Sequence, residues 1–268
     1  MRIIRFEDES GTIQLGEPVG EKTARVIAGD LFGAFETTEE VRDVRRLLAP
    51  LVPPNIIAIG LNYRRHAEEG GSQVPKHPVV FAKLTSSLAN PGDPIFLPID
   101  APDEVDYEAE LAVVIGKLAR HISTEEALDY VLGYTCANDV SARDCQQRRD
   151  VQWMRAKSFD TFCPLGPSLI VDPELDPNSL PIRSKLNGKT MQESNTEDMC
   201  FSVPTLISYL SQHFTLLPGT IILTGTPEGV GFAQHPPVYL REGDAITVEI
   251  DGIGTLTNPV RREEMFER

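Results

Sequence analysis

Apolar and polar residues alternate over most of the chain, and this alternation predicts more strands than helices. Short apolar or alternating runs predict strands at residues 2–6, 12–15, 56–60, 79–83, 95–97, 105–116, 134–140, 220–224 and 245–250. Apolar residues at helical spacing, or short runs bounded by caps and glycines, predict helices at residues 38–48, 62–71, 123–132 and 204–214. Because the strands are unevenly spaced and outnumber the helices, we expect a β-rich α+β fold rather than regular βαβ winding.

The pattern also divides the chain into two parts. Residues 1–50 combine two short strands with a helix, which predicts a small N-terminal α/β unit. Pro50, Pro53 and Pro54 interrupt any helix and are typical of a linker. We therefore expect a second, larger domain over residues 55–268, a length that can bury a substantial core.

Composition and charge exclude several classes of partner. The net charge is −15, and no basic stripe is present to neutralise phosphates, so a nucleic-acid partner is not expected. No apolar run reaches the roughly 18 residues that a membrane span needs, and the first residues do not resemble a targeting peptide. The four cysteines have no CxxC spacing and lie in or beside apolar runs, which favours reduced core residues. A soluble, cytoplasmic protein is expected.

Two glutamates in the segment at residues 105–116 are unusual for a strand. Side chains alternate along a strand, so Glu108 and Glu110 should share the face of Ala112 and Val114. Such a pair is typical of the wet face of a half-exposed strand. A divalent cation is the alternative explanation, because hard cations take oxygen ligands and would remove the repulsion between carboxylates. Asp139, in an apolar setting further along the chain, favours the cation.

Common cofactor and hydrolase motifs are absent. The glycines at 225, 229 and 231 do not match the dinucleotide pattern, and Arg183 stands where a phosphate loop needs its first glycine. The sequence also lacks HExxH and GxSxG. Nucleotide binding, zinc peptidase chemistry and serine hydrolase chemistry therefore lose support.

Several segments, taken together, resemble the fumarylacetoacetate hydrolase superfamily. They are IGLNY at 59–63 with His66, DYEAEL at 106–111, GYTCANDVSARD at 133–144, KSFDTFCPLGP at 157–167 and TGTPEGVG at 224–231. The match runs in order from about residue 55 to the end of the chain. The resemblance implies a β-rich roll of mixed sheets with short helices, and a homodimer.

The resemblance also implies a Mg²⁺ or Mn²⁺ site on Glu108, Glu110 and Asp139. An all-oxygen site suits these ions better than zinc or copper. Full-length fumarylacetoacetases carry a further aspartate ligand seven residues before the catalytic histidine, where this chain has Ile59. The chain therefore resembles the smaller, three-ligand branch, whose members act on acylpyruvates, 2,4-diketo acids and related oxo-acids.

In that branch a His-Glu pair on a short helix supplies the base. His66 and Glu69 stand at i and i+3 and share a helix face, although such a pair by itself is typical of a surface ion pair. By resemblance Lys157 is a catalytic cation, unless it is a lysine whose head reaches water. Lys83 is assigned a structural role.

Three further residues are expected to bind substrate by resemblance. Arg143 and Gln146 follow Asp139 closely and would reach the substrate, although Arg143 could instead pair with Asp144 or another acid. Thr226 in its glycine-rich loop would bind a substrate carboxylate, or serve only as a turn residue. Specificity is expected in the loops at 70–76 and 144–155, and the segment after Glu69 is expected to close over the site as a lid.

The expected function is metal-dependent hydrolysis of a C–C bond in a β-diketo acid, such as an acylpyruvate, releasing pyruvate or a related 2-oxo acid. His66 would activate the water, and the metal and Lys157 would stabilise the enolate that leaves. One alternative is isomerisation or decarboxylation of 2-hydroxydienedioate or oxaloacetate-like acids on the same metal site. An alternative of another class is a non-catalytic binding module with a structural cation.

Overall fold

Strands dominate the computed structural model, which describes residues 1–149 and 151–264. Two predicted features extend outside these residues: Asp150 in the loop at 144–155, and residues 265–268 at the end of the larger domain. The strands are β1 (Arg2–Glu7), β2 (Ile13–Pro18), β3 (Thr23–Gly29), β4 (Phe35–Asp43), β5 (Arg46–Leu48), β6 (Ile56–Gly60), β7 (Val79–Lys83), β8 (Leu88–Ala89), β9 (Ile95–Leu97), β10 (Val105–Asp106), β11 (Ala109–Ile115), β12 (Val131–Asn138), β13 (Ser141–Ala142), β14 (Cys163–Ile170), β15 (Pro181–Leu186), β16 (Lys189–Asn195), β17 (Ile221–Leu223), β18 (Ala245–Ile250) and β19 (Gly254–Arg262). The α-helices are α1 (Arg64–Glu69), α2 (Trp153–Ala156) and α3 (Val203–His213). The expected β-rich α+β fold is confirmed.

One large mixed sheet organises the chain. Its strand order is β4-β3-β2-β1-β14-β12-β11-β17-β6-β7, with β5 paired to β1 and β8 paired to β14. A second sheet has the order β16-β15-β18-β19-β9, and β10 pairs with β13. Because β1 pairs with β14, the strands of the first fifty residues continue the large sheet.

Two predicted helices are wrong. Residues 38–48 form parts of β4 and β5, so the described N-terminal segment contains strands and no helix. Here β4 pairs with β3 and β5 with β1, and this pairing overrides the local helical spacing. Within residues 123–132, only Ala127–Tyr130 form a short 3-10 helix, and Val131 already begins β12.

The core lies on both faces of the strand that carries Glu110. On one face, Leu111 and Val113 of β11 belong to the same cluster as Leu206 and Ile207 of α3. On the other face, Ala112 and Val114 share a cluster with residues of β6, β14 and β17. Every residue of β11 is buried, so the alternative of a wet strand face is wrong. Among the described helices, none is long and apolar enough to cross a membrane.

Candidate metal centre and active site

Three carboxylates meet where β11 and β12 lie side by side. Glu110 belongs to β11, Glu108 directly precedes that strand, and Asp139 directly follows β12. Antiparallel pairing sets Glu110 opposite Ala137, and the Asp139 N–H donates to the Glu108 carbonyl at 2.9 Å. The three residues each offer an oxygen within 4.8 Å of the others, and all three are buried. The predicted strand is interrupted at Tyr107 and Glu108, yet the two glutamates still converge with Asp139.

The two glutamates of this cluster have pKa values shifted in opposite directions. Burial raises the pKa of Glu110 well above its ordinary value, and Asp139 and Glu108 raise it further. Burial also opposes ionisation of Glu108, but Lys157, Arg143 and His66 outweigh it and lower its pKa to about 2. A hard divalent cation would remove the repulsion at Glu110, so this donor set fits Mg²⁺ or Mn²⁺.

A backbone donor holds Glu110 in place. Gly225, whose φ of +98° is in the left-handed region, points its N–H at Glu110 Oε2 at a distance of 2.8 Å. The neighbouring Thr226 donates its hydroxyl to the Ala109 carbonyl at 2.9 Å and accepts a bond from Gln192. Thr226 thus lines the site while its hydroxyl is engaged with the protein.

Two lysines share the Asp139 carboxylate. Lys157 Nζ donates to Asp139 Oδ2 at 2.6 Å and to Glu108 Oε2 at 2.8 Å. Burial lowers the pKa of Lys157, but Asp139 and Glu108 outweigh burial and raise it, so the side chain stays charged without reaching water. Lys83 Nζ donates to Asp139 Oδ1 at 2.6 Å, so its assignment as a merely structural residue omitted its place in the site.

Arg143 connects the carboxylates to the opposite loop. Its Nη2 pairs with Glu108 Oε1 at 2.7 Å, and its Nη1 donates to Gln146 at 2.8 Å. Its guanidinium lies 4.6 Å from the ring centre of Phe232. Burial lowers the pKa of Arg143, but the charges and hydrogen bonds of Asp106 and Glu108 outweigh burial, so the net shift of this pKa is upward. The acids that pair with it are therefore Asp106 and Glu108, and the same side chain lines the cavity.

Asp106 is a buried carboxylate that accepts several hydrogen bonds, and the sequence analysis assigned it no role. Its carboxylate accepts hydrogen bonds from Arg143 Nε at 2.8 Å and from the N–H groups of Tyr107, Gly231 and Phe232 at 2.8, 2.7 and 3.0 Å. Through these bonds one side chain fixes both Arg143 and the loop that carries Phe232. The signals available were its position two residues before Glu108 and its place at the start of the DYEAEL segment.

His66 and Glu69 lie on α1, and both contact the loop that carries Gly229 and Phe232. His66 Nδ1 is 3.6 Å from Glu69 Oε2, and both Glu69 oxygens accept the Gly229 N–H at 3.0 Å. His66 is only 7% exposed, and its Nδ1 is buried without a hydrogen-bond partner. The ring of Phe232 meets the imidazole edge to face at 6.4 Å. His66 is buried, whereas Glu69 keeps 23% of its side chain exposed, so only the histidine end of the pair is enclosed.

These side chains surround a cavity of about 220 Å³. Six of the predicted site residues line it: His66, Glu108, Arg143, Gln146, Lys157 and Thr226. Glu69, Glu110 and Asp139 do not line it; Glu69 lies beside His66, Asp139 bonds to Lys157, and Glu110 lies near Glu108. The apolar part of the wall includes Trp153, from the loop expected to set specificity. It also includes Ile59, Leu61, Phe81 and Phe232, which were not predicted. Gly70 and Ser72, from the segment expected to form a lid, also line the cavity.

Comparisons with known proteins identify the relatives of this chain. The family model fumarylacetoacetate (FAA) hydrolase C-terminal matches residues 55–261, and a model described as Rv2993c-like, N-terminal, matches residues 1–50. Oxaloacetate tautomerase fahd2, mitochondrial, from Xenopus laevis is 50% identical over 217 residues, covering 80% of this chain and 68% of that protein.

Two crystal structures are similar over nearly the whole chain. The 2-hydroxyhepta-2,4-diene-1,7-dioate isomerase from Mycobacterium marinum is 40% identical with a TM-score of 0.86, covering 99% of this chain and 100% of that one. The 5-carboxymethyl-2-hydroxymuconate delta-isomerase from Mycobacterium smegmatis is 42% identical with a TM-score of 0.86, covering 98% and 100%. The chain belongs to the fumarylacetoacetate hydrolase family.

Proposed function

We propose that this protein is a divalent-metal-dependent isomerase of short 2-oxo acids, and that its reaction is the keto–enol tautomerisation of a four-carbon acid of the oxaloacetate type. The observation that carries this proposal is the buried cluster of Glu108, Glu110 and Asp139, whose member Glu108 lines the same small cavity as His66. The tautomerase and isomerases among the relatives support isomerisation over hydrolysis. The cavity of about 220 Å³ suits a small acid, since pockets for drug-sized ligands begin near ~300 Å³.

Glu108, Glu110 and Asp139 would hold Mg²⁺ or Mn²⁺. When bound, the ion supplies a Lewis acid that polarises the 2-oxo group and offsets negative charge on its oxygen. The chain carries an acidic net charge of −15, so an anionic substrate needs local positive charge to bind. Lys157 and Arg143 supply this charge from within the cavity wall.

His66 moves the proton at carbon 3 of the substrate. In the keto-to-enol direction it accepts that proton, and the electron pair of the C–H bond becomes the new C2=C3 double bond. Its Nδ1 faces Glu69, which leaves Nε2 for the substrate. Lys157 neutralises the charge that develops on the C2 oxygen, and the proton held by His66 is then returned to that oxygen, which gives the enol and restores neutral His66. The return direction reverses each transfer, so no atom is gained or lost.

Hydrolysis of a β-diketo acid is the second candidate. With Nδ1 of His66 facing Glu69 at 3.6 Å, Nε2 of the same imidazole would equally suit a base that removes a proton from water. The two reactions differ in their products, because hydrolysis consumes water and breaks a C–C bond. Decarboxylation differs from both, since it releases CO₂.

The test follows the decay of enol-oxaloacetate by absorbance, with products identified by mass. We expect faster decay with Mg²⁺, no change in carbon number, and loss of the acceleration in excess chelator. His66→Ala should lower the rate by about 10²- to 10⁴-fold while keeping Mg²⁺ binding measured by calorimetry. Arg65→Ala is the matched control, because Arg65 lies on the same helix and pairs with Glu228 near the surface.

Other products would overturn the proposal. Stoichiometric pyruvate and CO₂ would identify a decarboxylase, and faster turnover of an acylpyruvate with water uptake would identify the hydrolase. A protein inert towards every oxo-acid, before and after the His66 change, would indicate a non-catalytic binding module.

A further inference from the structure

Trp153, the only tryptophan of the chain, lines the cavity beyond the charged cluster. Lys157 Nζ lies 5.1 Å from the ring centre of Phe81, and the Phe81 ring centre lies 5.4 Å from that of Trp153 at an angle of 76°. Phe81 therefore lies next to both the Lys157 ammonium and the Trp153 indole. The cavity wall changes from charged to aromatic along this line.

Local structure fixes Trp153 at that place. Trp153 begins α2, and the Lys157 N–H donates to the Trp153 carbonyl at 3.0 Å, so the two side chains are one helical turn apart. The six-membered ring packs against the backbone of Gly60, where an added Cβ would collide with it. Gly60 therefore leaves space for the indole.

A bound 2-oxo acid has to place its oxo and carboxylate groups beside Lys157 and the acidic cluster, because the cations of the cavity wall are there. The remaining carbons then extend towards Phe81 and Trp153. A seven-carbon dioate is three bonds longer than a four-carbon acid, or roughly 3.6 Å at ~1.2 Å per bond. The indole lies where these additional carbons would go.

We propose that Trp153 sets the upper length of the 2-oxo acid and restricts the site to chains of about four carbons. This inference rests on the proposed function for the chemistry of the ligand, and it adds the residue that selects among such ligands. An extra methylene group in a hydrophobic pocket typically changes discrimination by about 10- to 200-fold.

The first test measures binding rather than turnover. Isothermal titration calorimetry with saturating Mg²⁺ compares oxalate, 2-oxobutyrate and 2-oxoheptanedioate on the wild type, Trp153→Ala and Trp153→Phe. For Trp153→Ala we expect the preference for 2-oxobutyrate over 2-oxoheptanedioate to fall at least about tenfold. Oxalate affinity should stay within about twofold, because oxalate is too short to reach the indole. Trp153→Phe should give intermediate values.

Met154→Ala is the matched control, because Met154 is the next residue along the chain and is 40% exposed. It should leave all three affinities unchanged. An unchanged length preference in Trp153→Ala would overturn the proposal. An equal loss of affinity for all three acids, oxalate included, would also overturn it, because it would show a general structural role.

A second test uses the indole itself as the reporter. With one tryptophan in the chain, emission of the wild-type protein reports on this wall alone. We expect 2-oxobutyrate to change the emission more than oxalate does at equal occupancy. Equal changes for the two ligands would contradict contact between the longer acid and Trp153. If enol-oxaloacetate is not turned over while the length preference shifts as expected, the proposed reaction fails and the role of Trp153 stands.

Discussion

Lys83 Nζ lies 2.6 Å from Asp139 Oδ1, on the carboxylate oxygen that Lys157 does not contact. Both side chains of this pair are fully buried. Lys83 ends β7, at the edge of the large sheet, whereas Asp139 follows β12 in its middle. The pair therefore holds Asp139 in position between two cations.

Lys83→Met should destabilise the protein, because it leaves Asp139 buried with one cation fewer. Breaking a buried ion pair in this way costs about 3–5 kcal/mol of the free energy of unfolding, measured by urea denaturation without metal. Mg²⁺ should then stabilise the variant more than the wild type, because the ion supplies the missing charge.

Lys185→Met is the control for Lys83→Met. Lys185 pairs with Glu249 at 2.8 Å, but about a third of its side chain is exposed. Such a pair contributes no more than about 1 kcal/mol, so the control should remain close to wild type. Equal losses of stability in the two variants would show that the Lys83–Asp139 pair has no special importance.

Asp106→Asn should weaken the site without weakening the metal centre, because Asp106 joins Arg143 to the loop of Gly231 and Phe232. An amide loses the charge and turns an NH₂ group towards one of these donors. Charge-assisted hydrogen bonds are worth about 1.5–3 kcal/mol, which corresponds to at least a tenfold fall in kcat/KM for oxaloacetate. Mg²⁺ affinity, measured by calorimetry, should change little.

A double-mutant cycle with Arg143→Ala checks the route of this effect. If Asp106 acts through Arg143, the loss from the double variant will be clearly smaller than the product of the single losses. Independent, multiplicative losses would mean that Asp106 affects the site by another path. Melting temperatures of all three variants separate loss of fold from loss of positioning.

Local sequence patterns indicated the candidate metal ligands, but they did not indicate most of the residues that surround those ligands. Strand alternation predicted that Glu108 and Glu110 lie on the same side, and they do converge, although Glu108 falls in the interruption between β10 and β11. The resemblance supplied Asp139 and Lys157. The roles of Asp106, Lys83 and Phe81 were missed because they depend on partners far away in the sequence, such as the bond of Lys83 to Asp139. Trp153 falls in the loop expected to set specificity, but its contact with Gly60 was not predicted. The helix expected at 38–48 was wrong for the same reason, since pairing with β3 and β1 decides that segment.

The segment after Glu69 stays a predicted lid, and the structure suggests a direct test. Gly70 and Ser72 line the cavity, and Lys76 lies exposed a few residues further along. Mg²⁺ with oxalate should slow tryptic cleavage after Lys76, read by mass, if the segment orders over an occupied site. Cleavage after exposed Arg120 should proceed at the same rate in both conditions. Equal protection at both positions, or at neither, would contradict a lid.

The cysteines should differ sharply in reactivity with iodoacetamide at pH 8. Burial raises the pKa of Cys136 and Cys163 to about 12, and both thiols are inaccessible. Burial also raises the pKa of Cys200, but that residue is only partly buried. Since the thiolate is the reactive form, Cys200 should be labelled first, and faster as the pH rises. Cys136 and Cys163 should be labelled only after unfolding in urea.

The same pKa shifts give the sign of an alkaline effect on stability. The folded protein holds Cys136 and Cys163 protonated to about pH 12, whereas an ordinary thiol ionises near 9.0. Their contribution to the free energy of unfolding is therefore fully present below pH 9.0 and is lost as the pH rises towards 12. Peptide mapping that finds Cys136 labelled as fast as Cys200 in the native protein would contradict this burial, because a thiol in the core cannot react before the core opens.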